Sequence, residues 1–276
     1  MSVHCHVAAV QMVSSDVLAD NLARVEALVR RAVDEGAKLV VLPENFALMG
    51  KRQSDIKGIA ERDGDGPIQD FLSRLARRSG VWLVAGTLPL AAPDGRVYAA
   101  SLVFDDHGQQ RARYDKIHLY DVNVPDSDEH YCESSSIHPG DQVKVVDSPV
   151  GRLGLSVCYD LRFPELYRSL QRQGAEVLLV PSAFTAKTGA AHWMVLLRAR
   201  AIENLCFVIA PNQGGRHANG RSTYGHSSVI DPWGTPLATA TEGEAVICAS
   251  LDLGELHHKR RQFPVLQHQR MKTTET

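Results

Sequence analysis

Two nine-residue strings most constrain the fold: GAKLVVLPE at 36–44 and GAEVLLVPS at 174–182. Each holds a continuous aliphatic run, the composition of a strand covered on both faces, and each follows a further strand and a helical pattern. Ahead of the first, His6 to Met12 reads as a strand, and Val17 to Ala32 carries apolar residues at 18, 22, 25, 29 and 32/33. Gly36 closes that helix as a C-terminal glycine does. Ahead of the second, Leu153, Leu155 and Val157 alternate as a strand, and Pro164 opens a helix that runs to Gln173. Two βαβ units follow, with the carboxyl ends of both facing one crevice, where open α/β sheets hold their ligands. A chance likeness between two βαβ units is the competing reading.

Between these units, Gly66 and Pro67 start a helix carried by Phe71, Leu72, Leu75 and Ala76 and ending near Gly80, after which Val81 to Ala85 is strand. Tyr98 to Phe104 and Gln110 to Leu119 read as a hairpin about Asp106-His107-Gly108. Asp121 to Gly140 is polar and without a period, which predicts a long loop of the kind that is often functional. Trp193, Leu196, Leu197 and Ile202 predict a helix, Cys206 to Ala210 a strand, and Asn212 to Tyr224 a glycine- and arginine-rich loop. His226 to Ile230 and Ala245 to Leu251 are strands separated by the turn at 231–234. Beyond Gly254 the chain reads as basic and polar, and the terminal MKTTET is expected to fray.

A chain of 276 residues, 44% of them hydrophobic, can bury one substantial core, so a single domain over 1–276 is expected, although two smaller ones would fit the length. A formal net charge of -2 gives no long-range pull toward nucleic acid or an anionic membrane. Lys259, Arg260 and Arg261 read as a solvated or carboxylate-paired face. No segment approaches the roughly 20 apolar residues of a membrane helix, and MSVHCHVAAVQM lacks the parts of a secretory signal, so a cytoplasmic protein is expected. The five cysteines are far apart with no C-x-x-C pair, and the twelve histidines form no H-x-x-x-H or H-E-x-x-H pattern. Neither a disulfide framework nor a metal site is expected.

In LGLSVCYDLRFP (153–164) an apolar run stops at Cys158 and Pro164 restarts the chain as helix. The thiol therefore sits at a strand-to-helix corner that pushes a side chain out of the sheet. The plain alternative is a buried cysteine acting as a small hydrophobe. Glu44 stands just past the strand of the first string, and Lys116 lies in RYDKIHL (113–119), among tyrosine and isoleucine rather than in a charge run. Taken singly, Glu44 could cap a turn and Lys116 could be a surface lysine.

Glu44, Lys116 and Cys158 occur in that order inside LPEN, YDKIHL and CYDLRFPEL, and with AHWMVLLRARAIEN these strings resemble the carbon-nitrogen hydrolase (nitrilase) superfamily. The resemblance runs from the first strand to about Phe263. It implies a four-layer α-β-β-α sandwich, an α/β fold, paired across a homodimer or higher homo-oligomer, and a cofactor-free cysteine amidase. Hydrolysing an amide requires a nucleophile, a proton shuttle and a holder for the oxyanion. By the resemblance these are Cys158, Glu44 and Lys116, the last helped by the backbone N–H of Tyr159. Glu133, in CESSSIHPGD, matches a second active-site glutamate, with Glu129 as its rival. PSAF, TGAAHW, YGHSSVIDPWG and RRQFPVLQHQR resemble the branch acting on deaminated glutathione, so the expected substrate is a small linear primary amide with a distant carboxylate, giving acid and ammonia. Tyr159, Phe184, Arg216 and Arg221 are its candidate contacts, the two arginines being equal candidates for the carboxylate. His192, Arg198, Arg200 and Glu203 read as structural, and Arg162 with Glu165 as a local ion pair. The competing readings are an ω-amidase acting on α-ketoglutaramate, an N-carbamoyl amidase or nitrilase, a thiol redox sensor, and a catalytically silent scaffold.

Overall fold

The computed structural model describes residues 4–125 and 129–271. Strand β1 (His4–Gln11), helix α1 (Leu18–Asp34) and strand β2 (Leu39–Val41) form the first βαβ unit, with β1 and β2 parallel and Val7 opposite Leu39. Helix α2 (Pro67–Ser79) runs from the predicted proline to Gly80, whose φ of 61° is the left-handed cap. Strands β3 (Trp82–Val84), β4 (Leu88–Ala91), β5 (Val97–Phe104) and β6 (Gln110–Asp115) complete this half. A small hairpin of β7 (Asp121–Asn123) and β8 (His130–Cys132) leads to β9 (Val145–Ser148).

The second βαβ unit is β10 (Gly151–Leu155), α3 (Pro164–Arg172) and β11 (Val177–Leu179), again parallel, with Leu153 opposite Val177. Helix α4 (Ala186–Asn204) and strands β12 (Phe207–Ala210), β13 (Ser228–Ile230) and β14 (Pro236–Thr239) extend it. Strand β15 (Ala245–Asp252) returns to the first half and pairs antiparallel with β1, His4 opposite Asp252, before helix α5 (Leu253–Gln262). The first sheet thus has the order β15-β1-β2-β3-β5-β4, with β6 on β5, and the second the order β14-β13-β12-β11-β10-β9.

Strand alternation sorts the layers. Ala8, Val10, Val40 and Leu42 face Val25, Leu28, Leu72 and Leu75 of α1 and α2 in one core. Their neighbours Val7, Ala9, Leu39 and Val41 point the other way and pack with Leu153, Leu155, Val177 and Leu179 of the second sheet. That sheet's other covering comes from α3 and α4 through Leu166, Leu170, Trp193 and Leu197. The result is the expected α-β-β-α sandwich. At roughly 1.5–3 kcal/mol for each fully buried Val or Leu, sheet-to-sheet contact is the term that holds the two halves together.

Three sequence expectations are corrected here. The stretch 121–140 is no featureless loop: it carries β7, β8 and a short 3-10 turn at Glu133–Ser135. The polar segment after Gly254 is helix α5, anchored by Leu256, its one buried residue, and by Asp252 accepting from Glu255 N–H. Lys116 is one residue past β6 rather than within its arm, and it is buried, in keeping with its tyrosine- and isoleucine-flanked string. Of the tail expected to fray, 272–276 lie outside the described residues, and Met271 is exposed.

Candidate active site

The carboxyl ends of β2, β6, β10 and β11 converge between the sheets. Glu44 follows β2 by three residues, and its approach is set by Gly86, where an added Cβ would stand 1.9 Å from the Pro43 carbonyl. Gln213 Nε2 donates to the Glu44 carbonyl at 3.0 Å from the second sheet. Cys158 begins a 3-10 turn at 158–162 after β10, with φ of 48°, a left-handed conformation costly for a residue with a Cβ. Its N–H donates to the Pro181 carbonyl at 3.0 Å, which ties the strained corner to the end of β11.

Lys116 is the centre of the charge arrangement. Its ammonium donates to Glu44 Oε1 at 2.8 Å and to both oxygens of Glu133, at 2.9 and 2.8 Å. The other Glu44 oxygen accepts from Ala183 N–H at 2.8 Å, and Glu133 also accepts from Tyr120 N–H at 2.7 Å. The Cys158 thiol lies on the same side and helps to hold the Glu44 carboxyl in its ionised form. Burial works to raise the Glu44 carboxyl, but the Lys116 ammonium outweighs it and holds that carboxyl below its usual range. Burial likewise opposes the Lys116 charge, yet Glu133 and Glu44 keep it protonated well above its ordinary value. Burial first, and then the Glu44 charge, push the Cys158 thiol up. At rest Cys158 is therefore a thiol beside an ionised carboxylate, an arrangement in which the carboxylate can accept the thiol proton.

The nucleophile corner and the lysine segment are pinned to one another by a buried carboxylate. Asp160 Oδ2 accepts from Val157 N–H at 2.8 Å and from Tyr114 OH at 2.7 Å. Its Oδ1 accepts from His118 N–H at 3.0 Å and faces His118 Nδ1 at 2.7 Å. Burial and the Asp160 charge hold the Tyr114 phenol well above its ordinary pKa, so it stays a donor.

The cavity at Cys158 is lined by Glu44, Lys116 and Glu133, and also by Tyr120, Tyr159, Arg162, Phe184 and Arg221. Of the predicted residues, Glu44, Lys116, Cys158, Glu133, Tyr159, Phe184 and Arg221 are brought together. Glu129 is not among them: it accepts from Tyr131 OH at 2.7 Å and faces a neighbouring cavity. Arg216 is exposed and lines neither space, and its backbone forms a bridge with Ser222. Arg221 stands over the Tyr131 ring at 4.9 Å and donates to the Ala183 carbonyl, and its buried Nε has no hydrogen-bond partner among the described residues.

Arg162 overturns the expected pair with Glu165. Because Pro164 starts a new helix, the two side chains do not share a helical face. The guanidinium instead lies 5.8 and 5.2 Å from the Tyr159 and Phe184 ring centres and donates to His192 Nδ1 at 3.2 Å. Arg200 does pair with Glu203, at 2.9 Å, and also holds the Leu161 carbonyl, whereas Arg198 caps the Gly234 carbonyl. Sequence reasoning missed Arg162, Tyr120, Thr185 and Thr188 as cavity walls. The available signal was position: Thr185 adjoins Phe184 at the start of α4, and Arg162 stands between Cys158 and the start of α3.

A thiol, a carboxylate base and an ammonium in one water-poor cleft can perform acyl transfer, the class of chemistry that this fold and site define. Residues 6–261 match the carbon-nitrogen hydrolase family. The chain is 47% identical to a deaminated glutathione amidase of Synechocystis sp. over 268 residues, covering 95% of this chain and 96% of that one. It is 41% identical to the deaminated glutathione amidase of Homo sapiens over 269 residues, covering 96% and 82%. The crystal structure of the C. elegans NitFhit protein is similar at a TM-score of 0.90 and 38% identity over 97% of this chain, which spans 65% of that longer chain. The chain belongs to the carbon-nitrogen hydrolase family.

Proposed function

We propose that the chain is a cysteine amidase that cleaves deaminated glutathione or a close analogue through a thioester on Cys158, with no cofactor. The observation that carries this is the Glu44–Lys116–Cys158 geometry, supported by the names of the similar proteins. Glu44 takes the thiol proton while Sγ attacks the amide carbon. Lys116, with the Tyr159 N–H, holds the oxyanion. Glu44 then protonates the departing nitrogen and afterwards draws a proton from the water that hydrolyses the thioester. Glu133 keeps Lys116 in place. A primary amide releases ammonia in this scheme. Deaminated glutathione, whose amide nitrogens both carry carbon substituents, releases an amine, a broader leaving group than the sequence reading anticipated.

Arg221 is the carboxylate anchor, on the strength of its place in the cavity wall and its unpartnered Nε. We assign the chain a single domain and a homodimer, and the exposed Val195, Ile202, Trp233 and Phe263 are the apolar surface that supports pairing. A cytoplasmic setting is in keeping with five unpaired cysteines. Among the described residues no helix is long and apolar enough to cross a membrane.

Competition kinetics with deaminated glutathione, α-ketoglutaramate, an N-carbamoyl amino acid and an aliphatic nitrile test the substrate, with deaminated glutathione expected to lead in kcat/KM. Preference for either of the last two overturns the substrate assignment. Hydroxylamine added to the reaction should yield a hydroxamate. Turnover without hydroxamate would count against a thioester, and no turnover of any amide would favour the redox or scaffold readings.

A further inference from the structure

The cavity at Cys158 has a larger neighbour across a shared wall. Tyr120, Glu133 and Arg221 line it and also line a neighbouring cavity of about 480 Å³. The wider space is walled by Asn45, Leu48 and Met49, which follow Glu44 in the chain, and by Ile56, His130 and Asn219. Arg162, Phe184, Thr185 and Thr188 belong only to the narrow part. This division matters because the two halves of an amide have different fates. The acyl half stays on sulfur, whereas the amine half leaves on the side of the group that protonates it. In the proposed mechanism that group is Glu44, and the residues that follow it in the chain, Asn45, Leu48 and Met49, line the wider space.

We propose that the wider cavity is the amine subsite: it holds the leaving half of the substrate, an N-substituent of peptide character ending in a carboxylate, while the narrow pocket holds the acyl half. The inference rests on the amidase reading above. A cavity of this size suits a dipeptide-sized group, within the usual range of about 300–1,000 Å³ for ligand pockets, and is far larger than departing ammonia requires. Its wall is mixed in the way such a group demands: Leu48, Met49 and Ile56 are apolar, and Arg52 stands at the mouth. The Arg52 side chain is 82% exposed and pairs with Asp55 on its own turn, a surface pair that an incoming carboxylate can displace at little cost. The same cavity serves the reverse step. An amine seated there attacks the thioester, so that the N–C bond forms, the C–S bond breaks, and the amine's proton passes through Glu44 to the sulfur.

Deaminated glutathione and α-ketoglutaramate share one acyl half and differ in the leaving half, cysteinylglycine against ammonia. Asn219→Trp and Ile56→Trp narrow the cavity from two different elements. Each is expected to lower kcat/KM for deaminated glutathione by about tenfold more than for α-ketoglutaramate, so that turnover of the smaller amide also reports folding. In a second measurement, the wild-type enzyme turning over α-ketoglutaramate in the presence of cysteinylglycine should form deaminated glutathione with a saturating dependence on the dipeptide, and Asn219→Trp should weaken that saturation. Equal losses for the two substrates in both variants, or capture that rises linearly with dipeptide, overturns the subsite while leaving the amidase reading intact. Failure of the wild type to turn over either substrate removes the amidase reading and the subsite with it.

Discussion

Replacing Asp160 with Asn tests the idea that one buried carboxylate holds the nucleophile and the lysine in register. The substitution keeps the shape but turns one acceptor oxygen into an NH₂ group. If that group stands at the Oδ2 position it faces the donors Val157 N–H and Tyr114 OH; at the Oδ1 position it faces His118 N–H and Nδ1. Tyrosine can rotate its hydroxyl and histidine can change tautomer, but a backbone N–H cannot turn away. Either orientation therefore strands one backbone N–H, buried at Val157 and partly buried at His118, at about 1–3 kcal/mol, and weakens charge-assisted bonds worth about 1.5–3 kcal/mol each. A net loss of about 3 kcal/mol lowers Tm by roughly 6–12 °C at about 2–4 °C per kcal/mol for a chain of this size class. Because Lys116 lies between Tyr114 and His118 and Cys158 lies between Val157 and Asp160, kcat should fall by about tenfold or more in the protein that remains folded. Thermal melts and initial rates at a temperature well below both transitions decide it. A variant melting within about 2 °C of wild type with unchanged kcat would refute the account.

Cys158→Ala should abolish turnover with a melt close to wild type, and Cys248→Ala should retain activity; the opposite pattern would remove Cys158 as nucleophile. Lys116→Arg keeps the charge but replaces a compact ammonium in a fully buried site with a planar fork, and kcat is expected to drop on the order of 10²-fold or more, so a near-native rate would contradict its oxyanion role. The pH profile follows from Glu44. Its folded pKa lies below the unfolded value of about 4.3, so the unfolded chain binds the proton first as pH falls. The stability of the ionised site and kcat/KM should both hold above about pH 4.3 and be lost as pH falls through the lower folded value; an acid limb centred near neutrality would show that another group is the base.

The strands and helices that build the crevice were legible because burial on both faces leaves long aliphatic runs, and because Pro67, Gly80 and Gly36 mark helix ends by backbone geometry alone. Helix α5 was not, since only Leu256 is buried on it and a single buried position leaves no period to read. β7 and β8 span three residues each, too short for alternation to show. At the site, the order and context of Glu44, Lys116 and Cys158 carried the reading, and Glu133 won over Glu129 on its string. The choice between Arg216 and Arg221 was beyond sequence: five residues apart on one irregular loop, one is exposed and the other lines the cavity. Arg162 was misread for a related reason, because spacing along the chain promised a partner that the restart at Pro164 takes away.

Glu44 and Lys116 are held by the first sheet and Cys158 by the second, so under the proposed mechanism the nucleophile acquires its base only when the two sheets close on one another. Until then it is a thiol of ordinary reactivity, no more hazardous to cellular amides than any other cysteine on a nascent chain. On that mechanism the activity is assembled by the docking of the two sheets. During refolding, return of amide turnover should lag behind return of far-UV ellipticity and keep time with the docking of the two layers, which makes the reaction a clock for that event.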